Sequence, residues 1–488
     1  MAAKNGRKTW DSGARRSPFH DQHMHDIATQ PIPVRIAVVG GGSLNWARTL
    51  MADLAHDTRL VAEVRLYDID TAAAERNTVL GNRHAEVSRG TPARYTASPT
   101  LKDALTGADV VIISILPGGF DDMAQDIAIP ARYGIPQAVG DTVGPGGFVR
   151  AMRSIPMLAE IGAAIGEHAS LAHVCNLTNP MSVLTGALYA AFPAIRAWGE
   201  CHEVTKIRRQ VAHIAHEEAG TTGWTHRDVQ VNVLGINHFT FVDRITLAGR
   251  DMMQAYRSFA QTHRSTGWSQ TEPGKDAEHA RYFGTRNLVA FDLLDRFRIP
   301  AAAGDRHLAE FMPVSDYLSD PTRWGFALTP VDYRIRDRAA KQAKAAALAQ
   351  GDGSLGAKQS DEAMVDQVVA LMSGEPFVSN VNLPNRGQIA GLPDGAIVES
   401  NAVFTGMGVQ PVIAGALPGP LTAIVSDHAT RQQGLLAAVM DGDSAALFDL
   451  FHGDPLVRHL PRDTASAMFG EMVQATAHHL PAPLQGVA

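Results

Sequence analysis

Val34-Arg35-Ile36-Ala37-Val38-Val39-Gly40-Gly41-Gly42-Ser43 is an apolar run that stops on three glycines and a serine. The Val/Ile-rich half reads as a buried strand. The glycines allow a tight turn whose amides can meet a pyrophosphate at the start of the next helix. Gly40, Gly42 and Ser43 are therefore candidate contacts of a dinucleotide. The G-x-G-x-x-G pattern is incomplete, because its third glycine falls at Asn45. Asp68 adds weight: it ends the next strand, in Leu66-Tyr67-Asp68-Ile69-Asp70, where a carboxylate accepts from a ribose 2′-hydroxyl and repels a 2′-phosphate. NAD is expected rather than NADP. The plain alternative is a glycine-rich turn beside a surface Asp.

Outward from this turn, Val/Ile runs alternate with Ala/Leu-rich stretches. Helices are expected over 44–54, 72–87 and 151–165, and strands over 64–67 and 110–116. A strand over 172–176 opens into a helix from Pro180, and a last pair follows at 197–199 and 204–217. The rhythm predicts an α/β protein with an N-terminal Rossmann-like, doubly wound sheet over 34–235. From Val229 the rhythm changes to strands at 229–234 and 239–246 with mixed helices and polar connections, which predicts a C-terminal α+β domain over 236–480. Residues 1–30 mix Lys, Arg, His and Asp without an apolar stretch and read as a flexible tail. The segment Arg334–Gln350 alternates charges with alanines and reads as a solvated helix face without function.

Composition excludes several classes. A chain of 488 residues, 45% hydrophobic and 19% charged, can build two cores. Net charge is −7 and no Lys/Arg block could follow a phosphate backbone, so nucleic acid is not an expected partner. No apolar run approaches the roughly 18 residues that span a bilayer, so no membrane is expected either. Two cysteines, Cys175 and Cys201, make no disulfide framework and suit a reducing, cytoplasmic setting.

Three motifs carry candidate chemistry. Cys201 ends the nucleotide-binding half and His238 opens the second half, so a thiolate and an imidazole can grip a divalent metal between them. A buried thiol and a satisfied core histidine are the alternative. Thr178-Asn179-Pro180 follows a strand ending at Asn176, placing both asparagines at the carboxyl edge of the sheet, where ligands bind. Asn179 could touch cofactor or substrate and Asn176 substrate; a simple helix cap with Pro180 at the first position is the other reading.

Taken in order, these elements resemble glycoside hydrolase family 4 from Val34 to about Leu460. The resemblance rests on Gly40-Gly41-Gly42-Ser43, Asp141-Thr142-Val143-Gly144-Pro145-Gly146-Gly147 with Arg153, Thr178-Asn179-Pro180-Met181, Gly199-Glu200-Cys201-His202 and Gly235-Ile236-Asn237-His238. It continues through His307-Leu308-Ala309-Glu310-Phe311, Asn382-Leu383-Pro384-Asn385 with Gly387-Gln388-Ile389, and Leu392-Pro393 with Val398-Glu399. It implies a lactate/malate dehydrogenase-like fold, catalytic NAD and a divalent metal, usually Mn2+, held by Cys201 and His238. It also implies a homodimer or homotetramer.

The implied reaction departs from two-carboxylate hydrolysis. Carbon 3 of the sugar is oxidised by NAD, a base takes the carbon-2 proton, the glycosidic oxygen leaves, water adds, and the hydride returns. By resemblance His202 is the acid for the leaving oxygen. Several members use a tyrosine base, and none stands in Gly304–Phe311, so Asp305 is the candidate base, with Asp126 and Asp141 in reserve. Members acting on 6-phosphorylated sugars commonly carry Asp or Asn after the metal cysteine; His202 points instead to a non-phosphorylated α-glycoside. Ala303-Gly304-Asp305-Arg306-His307 looks closer to members acting on uronic acids, with Arg306 and His307 as substrate contacts and Arg306 pairing with the sugar carboxylate. The competing functions are an NAD-dependent dehydrogenase and a non-catalytic sugar- or NAD-binding protein.

Overall fold

The computed structural model describes residues 30–88, 93–220, 223–269, 277–353, 355 and 359–485. Apart from residue 30, the expected tail lies outside them. Six parallel strands, β1 (Ile32–Val39), β2 (Leu60–Tyr67), β3 (Arg94–Ala97), β4 (Val110–Ile113), β5 (His173–Asn176) and β6 (Arg196–Gly199), stand in the order 3-2-1-4-5-6. The order reverses between β1 and β4, the switch point where open α/β sheets bind ligands. The strands alternate with α1 (Trp46–His56), α2 (Thr71–Glu86), α3 (Leu101–Leu105), α4 (Gly119–Arg132), α5 (Gly144–His168) and α6 (Met181–Ala191), and α7 (Thr205–Ala219) follows β6.

The rest of the chain continues the same sheet in antiparallel sense. It holds β7 (Val229–Ile236), β8 (Phe239–Leu247), β9 (Arg250–Asp251), β10 (Phe377–Pro384), β12 (Ile397–Thr405) and β13 (Gly408–Pro411), while β11 (Ile389–Ala390) and β14 (Gly415–Ala416) pair apart. Between β9 and β10 lie α8 (Met253–Thr262), α9 (Ala277–Phe283), α10 (Leu288–Phe297), α11 (Asp305–Glu310), α12 (Val314–Tyr317), α13 (Val331–Gln350) and α14 (Met364–Ser373). The chain ends with α15 (Gly419–Asp441), α16 (Ser444–His452) and α17 (Arg462–Ala475). Backbone pairing draws no boundary at residue 235, which lies within β7, a strand bonded to β12 and β8.

One cross-strand row runs through both halves: Tyr67, Val39, Ile113, Asn176, Gly199, Asn382, Glu399, Gly235 and Thr240 are successive partners. The halves meet at Gly199 and Asn382, the one residue pair joining β6 to β10. A Cβ on Gly199 would lie 2.7 Å from Met181 Cγ and 3.0 Å from the Asn382 Cβ, so only glycine admits β10 at this spacing.

Two departures from the sequence reading have local causes. The helix expected from residue 151 starts at Gly144, with Pro145 in its first turn. Its glycines are there for close packing rather than as breakers: a Cβ on Gly146 or Gly147 would lie 2.9 Å from Asp126 O or 2.6 Å from Thr142 C. Strand β4 ends at Ile113, short of residue 116, where the chain turns through Pro117 and Gly118 into α4. Both cysteines are free and buried. Among the described residues no helix is long and apolar enough to cross a membrane.

Arg153, wholly buried in α5, is clamped by Asp126 through both guanidinium nitrogens and lies 3.7 Å from Asp122. Removing a buried charge's only strong partner leaves an uncompensated ion, a loss of about 3–5 kcal/mol. Arg153→Met should therefore lower the urea midpoint clearly, and an unchanged midpoint would show that this pair does not hold α4 on α5.

Candidate active site

The nucleotide turn forms as its residues suggest. Gly40 and Gly41 both donate to Tyr67 O, at 2.9 and 2.8 Å. Gly40 has φ +89°, and a Cβ there would stand 2.0 Å from Ser114 O. Asp68, partly exposed at the end of β2, accepts from Gly42 N at 2.9 Å and Asp70 N at 2.9 Å, so the carboxylate is locked beside the turn. Ser43 Oγ accepts from Trp46 N at 3.2 Å at the start of α1. The sequence reading missed Asn77, fully buried in α2, which donates to Gly41 O and Ser43 O at 2.8 and 3.0 Å and holds the turn in shape.

Two candidates prove to be structural. Asn176 spends its side chain on its own turn: Oδ1 accepts from Thr178 N at 3.0 Å, and Nδ2 donates to Thr185 Oγ1 and Thr178 O at 3.1 and 3.3 Å. Both amide protons and one lone pair are thus spent on the turn, and the side chain is fully buried. Asp305, the expected base, faces the start of α10, where Oδ2 accepts from Leu288 N at 3.0 Å and Oδ1 from Ala290 N at 3.1 Å. Burial raises its pKa to about 6, and with both oxygens on helix amides it caps α10 rather than meeting substrate. The reserve Asp126 is likewise committed to Arg153. Asn179 differs: its Oδ1 is buried without a partner, while its carbonyl accepts from Arg150 Nε at 3.1 Å.

The ligand-bearing groups converge where β7 turns into β8. Asn237 and His238 make the two-residue connection, with His238 in the left-handed region at φ +66°, a strained placement for a non-glycine residue. Its Nδ1 lies 2.8 Å from Thr142 Oγ1, and that hydroxyl donates to Asp141 Oδ1 at 2.8 Å. A hydroxyl has one proton, so Thr142 accepts from His238 Nδ1–H and leaves the Nε2 lone pair free for a metal. His307 lies against His238 with ring centroids 3.8 Å apart and planes tilted by 33°, and its Nδ1 is buried and unpartnered. One ligand atom each from Asp141, His238 and His307 lies within 4.8 Å of the others. This grouping differs from the expected Cys201–His238 pair, since Asp141 and His307 join His238 in it.

Cys201 is buried beside Glu399 and Glu203; burial, then these carboxylates, push its thiol pKa up, an environment that favours a cation close by. His202 is half-exposed at the rim, 3.9 Å from Glu203 Oε1 and from Glu362 Oε1, its ring 5.8 Å from that of Trp46.

Two buried glutamates position α11, and neither was singled out in the sequence. Glu203 accepts from Gly304 N at 2.8 Å and pairs with Lys206. Glu310 Oε1 accepts from Val139 N and Gly140 N at 2.6 and 3.1 Å, tying α11 to the loop that carries Asp141. Burial opposes ionisation of Asp141, but Arg150, His307, His238 and Arg334 outweigh it and bring its pKa to about 2. Arg334 therefore reaches the site. The expectation of a wholly solvated face on Arg334–Gln350 fails at its first residue, because the turn after Pro330 faces that side chain inward.

A model of family 4 glycosyl hydrolases matches residues 35–217, and a model of that family's C-terminal domain matches residues 233–457. The chain belongs to glycoside hydrolase family 4. Its relatives include an α-galacturonidase of Bacillus subtilis, 43% identical over 90% of this chain and 97% of that protein. The crystal structure of Bacillus subtilis lplD, described as a glucosidase, superposes with TM-score 0.85 at 42% identity, covering 90% of this chain and 99% of that one. A 6-phospho-α-glucosidase from gut microorganisms, solved with NAD and Mn2+, shares the fold at TM-score 0.77 and 17% identity, over 92% and 99% of the two chains. Membership makes the protein a glycosidase, and the Gly40–Ser43 turn lies in the segment that the family model matches.

Two measurements check this geometry. Losing the partner that orients a ligating histidine typically costs 10–100-fold in metal affinity, so Thr142→Val should weaken Mn2+ binding by about that factor in calorimetry. Equal affinity would detach Thr142 from the site. Burial raises Glu310 to a pKa of about 7, above its unfolded value, so its contribution to stability is full in acid and is lost as pH rises through 7. Between about pH 5 and about pH 8 the wild type should lose stability that Glu310→Gln retains, and parallel pH profiles would refute this.

Proposed function

We propose that this family 4 enzyme hydrolyses α-D-galacturonides, with resident NAD and a divalent cation such as Mn2+. The carrying observation is the Asp141–His238–His307 grouping, with His238 three residues past Gly235 in the cross-strand row that also holds Val39, the residue before the Gly40–Ser43 turn. The uronide assignment draws on the 43% identity to an α-galacturonidase over most of both chains. The residues fit both groups. The glycine turn with Asp68 suits the pyrophosphate and ribose of NAD, and the preset Nε2 of His238 with Asp141 suits a hard or borderline divalent ion.

When bound, NAD supplies a reversible two-electron oxidant for a ring carbon, and the cation supplies a Lewis acid for the oxygen on that carbon. The chain does the rest. His238 and Asp141 would hold the cation, and Cys201, two residues past the end of β6, would offer a further thiolate ligand. His307 is kept neutral by burial and by His238, and its unpartnered Nδ1 accepts the proton on the carbon next to the oxidised one. Carbonyl formation acidifies that proton, so a weak neutral base suffices. His202, at the half-exposed rim, donates to the leaving glycosidic oxygen, and Asn179 orients substrate or the nicotinamide ribose with its free Oδ1.

The test uses the wild-type protein with NAD, Mn2+ and a thiol reductant on an α-galacturonide in deuterated water. Released galacturonate should carry deuterium on carbon 2, and no NADH should accumulate. Hydrolysis without the extra mass rejects oxidation and elimination, and NADH rising in step with product turns the reading toward a dehydrogenase.

A further inference from the structure

Two arginines near this site make no direct ion pair among the described residues. Arg306, 7% exposed in α11, donates from Nη2 to Ala138 O at 3.3 Å, while its Nε is buried without a partner. Arg334, in the first turn of α13, has a buried Nε without a partner. Among the described residues neither guanidinium has a carboxylate within ion-pair distance. Both lie over one ring: their guanidinium carbons are 5.0 and 5.7 Å from the centroid of Phe283.

Buried charges without partners are strongly unfavourable, and two like charges side by side are worse. Burial, then Arg334, lowers the pKa of Arg306 to about 10, which records that crowding. Arg306 directly precedes His307 in α11 and Arg334 shares the Phe283 ring with it, so the cations border the reacting centre. A cation over the Phe283 ring is attracted by the ring's negative face, and an arginine held there still carries N–H donors to offer. A guanidinium's N–H edge is the shape that meets a carboxylate with two parallel hydrogen bonds.

We infer that Arg334 and Arg306, both over the Phe283 ring, form the subsite that reads the sugar's carbon-6 carboxylate and that Arg334 is a specificity-determining residue. The inference rests on the galacturonide reading above and adds the residues that impose it. Asp141 and the histidines engage the ring carbons where chemistry occurs; the arginines engage the far side of the same ring. Neutral galactosides leave both cations unpaired, so the site rejects them by what it fails to satisfy.

The test measures kcat/KM for nitrophenyl α-galacturonide and α-galactoside in wild type, Arg334→Gln and Arg306→Gln. The ratio of the two substrates within one preparation is independent of the fraction folded. The galacturonide-to-galactoside ratio should fall about 100-fold in each variant, the usual effect of removing one partner of a buried charge pair. The loss should lie mainly in KM for Arg334→Gln, and Arg334→Lys should recover only part of it, because an ammonium lacks the fork. A wild type that prefers galacturonide and variants that keep its ratio overturn the subsite and leave the proposed function standing. A wild type without that preference overturns the galacturonide reading and the subsite with it. Faster wild-type turnover of the galactoside 6-phosphate than of the galacturonide assigns the cations to a phosphate and overturns the carboxylate.

Discussion

The pairing of Asn382 with Gly199 is the constraint on which the site depends. It is the only residue pair between β6 and β10, yet it sets β10, and through β10 it sets β12 and β7. Residues far apart in the chain thus arrive at one level of one sheet: Asn176 before the Thr178–Pro180 turn, Gly199 before Cys201, Glu399 beside that cysteine, and Gly235 before His238. A side chain on Gly199 would push β10 outward and spoil this alignment from one end to the other. The reaction centre is therefore a property of register, and the loops complete what the ladder has already aligned.

Around that frame the charges divide by sign. Glu203 and Glu399 crowd the cysteine, and burial raises Glu399 to about 7. On the other side, the charges of Arg150 and Arg334 keep Asp141 ionised, and Arg306 lies near Arg334 over Phe283. A cation suits the cysteine side and Asp141 itself, while the arginines beyond Asp141 suit a further anion. Such opposed fields a short way apart can orient a molecule that carries its carboxylate at one end and its reacting hydroxyls at the other.

How much of this was legible in the sequence follows from how local each cause is. The alternation behind the 3-2-1-4-5-6 order depends on strand period and read correctly, and the Gly40–Ser43 turn with Asp68 beside it depends on neighbouring residues and forms where the sequence put it. Asp305 did not read correctly, because its role as a cap is decided by Leu288 and Ala290, which reach it only after the chain folds back. Thr142 was quoted as part of a motif but not as the partner of His238, since 96 residues separate them. Arg334 was lost among similar charges: Arg336 on the same helix is 62% exposed, and only tertiary packing tells the two apart. Asn176 looked like a ligand because asparagines serve turns and ligands alike.

The row also governs how the chain can change length. Side chains alternate across a strand, so one residue inserted or deleted within β10 or β12 would carry Asn382 or Glu399 to the opposite face and disconnect the halves of the centre. The connection from β9 to β10, which carries α9, α11 and α13, touches the ladder where residues 300–302 bond β8. Mutational drift elsewhere in it leaves the register untouched. The fold separates a part that evolution must copy from a part it can rewrite, and a family with this plan can diversify its sugars while keeping one reaction.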